Sequence, residues 1–170
     1  DEDFHAVTPY INYLDSRTQE DVETLSEKNL EIWGRETGNP QPNCMFPAMF
    51  ARWMMKNCEE YQQKGKKFVH NAPYILAHLA GLKAEDAFID WGAMSGWGLG
   101  YHVLEKRWSK EQLDLLGIPE EMMPKIRKPW DIIGYLTEEF AQKTGLPAGI
   151  PICAGAGDTM QSMIGCGVTG

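Results

Sequence analysis

The sequence is short of the features that most quickly assign a chain. No apolar run approaches the ~20 residues of a membrane-spanning helix. No leader-like segment is visible, so no membrane partner is expected. The four cysteines, Cys44, Cys58, Cys153 and Cys166, form no CxxC pair and no Cys/His zinc spacing, and no metal site is predicted. Cys153 and Cys166 stand among apolar or Gly residues, which predicts buried, reduced thiols and a cytoplasmic location. Basic residues are also few. Sixteen Lys and Arg against 24 Asp and Glu leave a formal charge of −8, which argues against nucleic acid as a partner. The one basic run, Lys64, Lys66 and Lys67, reads as a solvated loop. GxxxxGK[ST], HExxH and GxSxG are all missing, as are internal repeats and low-complexity segments. The chain opens Asp1-Glu2-Asp3 without a Met, as expected of an internal piece.

What is present is an ordinary globular composition of 170 residues, 43% hydrophobic and 24% charged, enough for one core without disulfides. Residues 6–14 read as a loop running into a β-strand that stops at Asp15-Ser16-Arg17. Thr18 and Asp21 resemble a capping box opening a helix whose inner side carries Leu25, Leu30, Ile32 and Trp33, and which ends at Gly38-Asn39-Pro40. Pro47 suits a first helical turn, and Met49, Phe50, Trp53 and Met54 recur at helical spacing, as core residues do. A short helix is predicted over 58–64, a short strand over 67–69, and a helix from Pro73 closed by Gly81. Residues 88–103 mix four glycines with Trp91, Trp97 and Tyr101 and predict extended structure with a turn or bulge, the aromatics serving as core. Ser109 with Gln112 makes a second capping box, closed by Gly117, and 137–143 a further helix closed by Gly145. Residues 149–154 read as a buried strand, Gly155-Ala156-Gly157 as a tight turn, and Asp158 as the start of a helix carrying Met160, Met163 and Ile164. Strands separated by helices predict an α/β domain.

The strand, the Gly-x-Gly turn and the Asp form the segment with the most chemical content. Glycines let another molecule approach the backbone closely. Ligands of open α/β sheets bind beyond the carboxyl ends of the strands. A carboxylate at that place can accept a proton from a substrate hydroxyl, although Asp is equally a preferred helix cap. Asp15 and Arg17 read first as a local ion pair at a helix start, and second as contacts to a polar ligand. The Gly-rich tail GCGVTG (165–170) lacks the strand-then-helix setting of a dinucleotide fingerprint.

In order along the chain, several elements resemble those of the FGGY family of carbohydrate kinases. They are Tyr13-Leu14-Asp15-Ser16-Arg17 for W-x-D-x-R, Thr37-Gly38-Asn39 for TGN, and FPAMFARW ending at Trp53. Residues 73–81 resemble the family's DY-hydrophobic-LTG element, Asp90 with Ser95 its D-x-x-x-x-S, and Trp108 through Gly117-Ile118 its W…L…GI. The most specific match runs from Thr144 to Asp158 against TGLPxGxPVxxGxGD. Departures are Phe50 for a common Lys, His102 for a common Asp, and Ala72 or Pro73 for the Asp before the family's Tyr. Met45 stands where glycerol kinases carry a glycerol-contacting Tyr.

The resemblance implies an α/β fold, part of a ribonuclease-H-like (actin-like ATPase) domain with several packed helices, and ATP-dependent phosphorylation of a sugar or polyol. Asp158 would be the catalytic base and Thr159 a substrate contact. Met45 and Phe46 would line the sugar site, with a ketopentose favoured over glycerol. Gly155 and Gly157 would approach the cofactor, ATP with Mg²⁺. The chain is expected to be part of the sugar-binding N-terminal domain, without the phosphate-loop strands or the ATP domain, and inactive alone. Its open sheet edges predict association with missing chain or with a second copy. The alternative is a kinase-like sugar-binding or scaffold module that has lost catalysis.

Overall fold

The computed structural model describes residues 1–28 and 30–168; of the Gly-rich tail, Thr169 and Gly170 lie outside the described residues. The element order is α1 (Gln19–Ser26), α2 (Ile32–Thr37), α3 (Pro47–Asn57), α4 (Glu59–Lys64), α5 (Asn71–Ala80), β1 (Phe88–Asp90), α6 (Trp91–Gly96), β2 (Tyr101–His102), β3 (Arg107–Trp108), α7 (Lys110–Leu116), β4 (Lys125–Arg127), β5 (Ile132–Tyr135), α8 (Glu138–Thr144), β6 (Pro151–Cys153) and α9 (Asp158–Gly165). Two short 3₁₀ turns cover Ala84–Asp86 and Glu120–Met122. The strands pair two by two: β1 with β4 in parallel, β2 with β3 and β5 with β6 antiparallel.

The main core gathers Leu25, Trp33, Met49, Ile89, Met94 and Leu113, all essentially without solvent exposure. Helix α3 starts as the sequence predicts, with Pro47 in its first turn, and buries Met49 and Phe50. Gly38, Gly81, Gly117 and Gly145 each close a helix in the left-handed conformation that glycine adopts without a Cβ penalty.

One buried polar network ties three elements together. The Glu36 carboxylate of α2 accepts hydrogen bonds from Ser109 Oγ (2.6 Å) and Gln112 Nε2 (2.8 Å) of α7. Gln112 also donates to the Tyr101 carbonyl on β2 and accepts from the Gly100 amide. Burial pushes the Glu36 carboxyl up, but the two donors outweigh it and hold the group below its ordinary range.

Several expectations are corrected. Residues 6–14 form no strand. Asn12 Oδ1 accepts from the Leu14 amide (2.9 Å) and the Asn12 carbonyl from Asp15 N (2.9 Å), so a side-chain turn bends the segment. No capping box opens α1. Thr18 Oγ1 instead donates to the Cys44 carbonyl, and the buried Asp21 accepts from Arg52 Nε (2.9 Å) and Lys56 Nζ (2.7 Å) of α3. The single helix expected before Gly38 is two helices. Residues 67–69 are not a strand, although the Phe68 amide donates to the Met122 carbonyl. Lys67 is not simply solvated, because its Nζ donates to the carbonyls of Glu121 and Met123. Helix α5 begins at Asn71, two residues before Pro73.

The largest correction falls on 91–96, which is helical. Asp90 caps it, and the cap outweighs the low helix propensity of its glycines. Ser109 accepts from the Gln112 amide, but the Gln112 side chain turns to Glu36 instead of completing a box. Strand β6 is largely exposed rather than buried, and Cys153 and Cys166 are exposed thiols. The two cysteines therefore do not support the reducing-compartment argument as buried groups.

Two predictions follow from this packing. Gly98 has φ +94°, and a Cβ there would lie 2.2 Å from Phe46 Cγ, whereas Gly38, at φ +82°, has open space. Gly38→Ala is expected to cost only the ~1–2 kcal/mol of left-handed strain, and Gly98→Ala clearly more, as read by thermal melting. For Glu36 the folded pKa is depressed, so its stabilisation is present above the ordinary carboxyl value of about 4.3 and fades as pH falls through the lower folded value. Between pH 5 and 3 the denaturation midpoint of Glu36→Gln is expected to fall less than that of the native chain.

Candidate active site

Strands β1 and β4 run parallel, with Asp90 opposite Arg127 at their carboxyl ends. Beyond those ends the chain turns into α6 on one side and the Lys128–Asp131 loop on the other. Asp90 is 3% exposed, and its Oδ1 accepts from the amides of Gly92 (2.7 Å) and Ala93 (3.0 Å). A carboxylate satisfied by two helix amides stops the strand and starts the helix at one residue.

The loop after β6 comes to the same end. The Ala154 and Gly155 amides donate to the carbonyls of Asp131 and Pro129, both at 2.9 Å. Gly155, at φ +81°, turns the chain, and Gly157 leads into α9. Gly92 makes this approach possible: a Cβ on it would lie 3.3 Å from Gly157 N, 3.1 Å from Asp90 Oδ1 and 3.5 Å from Met160 Cγ. Asp158 is thereby held against the start of α6.

These elements line a cleft of about 1220 Å³. Asp158, Thr159, Gly155, Gly157 and Met45 all face it, so five of the six residues singled out by sequence converge. Phe46 does not line it. Its ring packs over Gly98 as part of the core rim. Asp158 is exposed, and its Oδ1 accepts from the Thr159 amide (2.7 Å) and the Thr159 hydroxyl (3.4 Å). Among the described residues no ion pair engages Asp158. It is therefore a carboxylate open to a hydroxyl, which is what a general base requires. It occupies the first turn of α9, with Gly157 as the cap residue.

Asp15 and Arg17 form the local pair, at 2.6 Å, and the guanidinium lies 4.7 Å from the centre of the Trp53 ring. The hydrogen bond from Arg17 holds the Asp15 carboxyl below its usual range. His102 is paired with Glu105, at 3.5 Å, on the β2–β3 turn and does not line the cleft. Phe50 does line it, almost fully buried.

Sequence reasoning missed Asp90 as a cap, Gly92 as a contact point, and Trp130 with Lys106. Trp130 stands edge-on to Trp91, with ring centres 5.5 Å apart at 81°, and Lys106 Nζ lies 4.9 Å from the Trp91 ring centre. The first two were visible in outline, since an Asp before a small-residue helix is a cap signal. The others join positions far apart in sequence and left no local signal.

Residues 1–165 match the N-terminal domain of the FGGY family of carbohydrate kinases. The chain is 26% identical over 153 residues to the glycerol kinase of Thermococcus onnurineus, covering 88% of this chain and 29% of that protein. It is 25% identical over 116 residues to the autoinducer-2 kinase of Klebsiella pneumoniae, covering 68% of this chain and 21% of that one. The ligand-bound xylulose kinase of Lactobacillus acidophilus superposes with a TM-score of 0.81 at 25% identity, over 96% of this chain and 32% of that one. Plasmodium falciparum glycerol kinase with ADP gives a TM-score of 0.85 at 20% identity, over 98% and 33%, a likeness of fold alone. The chain thus spans about a third of the length of such relatives, or less.

The cap at Asp90 generates a prediction. Asp90→Ala leaves two amides without their acceptor and is expected to cost about 1–2 kcal/mol in denaturant unfolding. Asp90→Asn, which keeps an acceptor oxygen, is expected to lose less.

Proposed function

The chain belongs to the FGGY family of carbohydrate kinases, and from that premise we propose that the whole protein transfers the γ-phosphoryl group of ATP to a hydroxyl of a sugar or polyol, with Asp158 as the base. Its α/β fold is part of a ribonuclease-H-like, actin-like ATPase domain. The observation that carries the reading is the placement of Asp158. An exposed carboxylate without an ion pair sits beyond a strand, on a Gly-x-Gly turn, facing a large cleft. Asp158 accepts the proton of the attacking hydroxyl as its oxygen bonds to the γ-phosphorus and the bond from that phosphorus to the β,γ-bridging oxygen breaks to release ADP, and Thr159 holds the carboxylate by its amide and hydroxyl.

Met45 supports a ketopentose rather than glycerol as acceptor. It is 49% exposed and presents an apolar thioether to the cleft. Gly155 and Gly157 leave backbone accessible beside Asp158, which suits the phosphate end of a nucleotide. The chain spans about a third of the length of its relatives, and we assign the rest of the site for ATP and its Mg²⁺ to parts of the protein outside it.

The same assignment accounts for the surface. Ile132 and Tyr135 of β5, and Met160, Met163 and Ile164 of α9, are exposed apolar side chains. The phosphate-loop strands and the ATP domain are the proposed cover. No described helix is long and apolar enough to cross a membrane. A cytoplasmic enzyme acting on a small molecule is consistent with that.

The test is Asp158→Asn in the whole protein, assayed by ADP release over a panel of ketopentoses and polyols. Turnover is expected to fall about a hundredfold or more, with sugar affinity and melting temperature nearly unchanged. Surviving turnover overturns the base assignment. A native protein that binds sugar but releases no ADP leaves the scaffold reading.

A further inference from the structure

The Trp91 indole is a built feature of the cleft that the phosphoryl-transfer chemistry does not use. Trp97 and Trp33, at 2% and 1% exposure, are core residues, whereas Trp91 is only half-buried and lines the cleft together with Asp158 and Thr159. The Asp90 cap holds the backbone just after it, at Gly92 and Ala93. The ring of Trp130, itself exposed, stands at 81° to the Trp91 ring with centres 5.5 Å apart, and Lys106 Nζ lies 4.9 Å from the Trp91 ring centre; neither of the two lines the cleft. The carbonyls of Pro129 and Asp131, flanking Trp130, are bonded to Gly155 and Ala154 of the turn that carries Asp158. Gly92, the next residue, sits against Gly157. The backbone segments that carry the indole and the carboxylate are therefore tied to each other.

We propose that Trp91 is a specificity-determining residue of the acceptor site, its indole receiving the C–H side of a sugar of five or more carbons while a hydroxyl of that sugar reaches Asp158. This rests on the kinase reading above. A sugar is polar around its rim and apolar across its C–H bonds. Those bonds carry a small positive charge that suits the negative face of an aromatic ring. A three-carbon polyol offers an indole a shorter row of C–H bonds than a pentose and gains less from the contact.

The experiment compares Trp91→Ala, Trp91→Phe and Trp130→Ala with the native whole protein. It uses ADP-release kinetics and calorimetric titration with a pentose series and with glycerol. Trp91→Ala is expected to raise KM and Kd for the preferred pentose about tenfold, the order of an aromatic contact, with kcat within about twofold. Trp91→Phe restores most of the affinity, Trp130→Ala has a smaller effect in the same direction, and glycerol binding weakens less than pentose binding. Equal losses for glycerol and pentose, or a loss in kcat alone, overturn the assignment. If the native protein binds pentose without releasing ADP, the kinase reading fails, and the ratio of titrated Kd values still decides the role of Trp91. A native protein that binds no sugar overturns both.

Discussion

The Asp90 carboxylate, buried at the end of β1 and satisfied by two amides of α6, is the constraint on which the site depends. It converts a strand into a helix within one residue, at the carboxyl end of the parallel pair. A buried carboxylate without those donors would be costly, so strand end and helix start are not independent choices. Everything near the site is placed from this junction. Gly92 follows it and admits Gly157, Gly157 precedes Asp158, and Trp91 sits between cap and cleft.

The remainder of the chain is divided between a finished side and an unfinished one. Helices α1, α2, α3 and α7 close around Trp33, Met49 and Leu113, and their polar groups are internally matched through Glu36, Ser109 and Gln112 and through Asp21, Arg52 and Lys56. The β5–β6 ribbon and α9 present apolar side chains outward and bury little. The cleft lies where these two sides meet, so the candidate base stands on the less supported element. Its position comes from backbone contacts at Asp131, Pro129 and Gly92 rather than from side-chain burial.

Several helices were legible from local signals: Pro47 in a first turn, Ser109 as a cap, Gly81, Gly117 and Gly145 as stops. The sequence failed where two local signals competed. Around 91–96 the glycines and aromatics suggest extended chain, but a cap from the preceding strand decides for helix. At 6–14 the apolar residues suggest a strand, but Asn12 turns the backbone by its own side chain. At Thr18 the expected cap partner, Asp21, is taken by Arg52 and Lys56, more than thirty residues away. The family resemblance implied Phe46 in the sugar site beside Met45, yet the two side chains part, one to the cleft and one over Gly98.

By itself the sequence determined the GAGD turn, several helix starts and stops, the family and the identity of the candidate base. All of these are carried by residues adjacent in the chain, where backbone freedom at glycine and capping by Asp act locally. Only the tertiary structure decided that Asp158, Thr159, Met45 and Trp91 face one cleft, that Phe46 does not, and that Trp130 and Lys106 lie beside the Trp91 ring. Those facts depend on the parallel pairing of β1 with β4 and on the approach of Gly157 to Gly92. They join segments more than thirty residues apart, whose distance no spacing along the chain encodes.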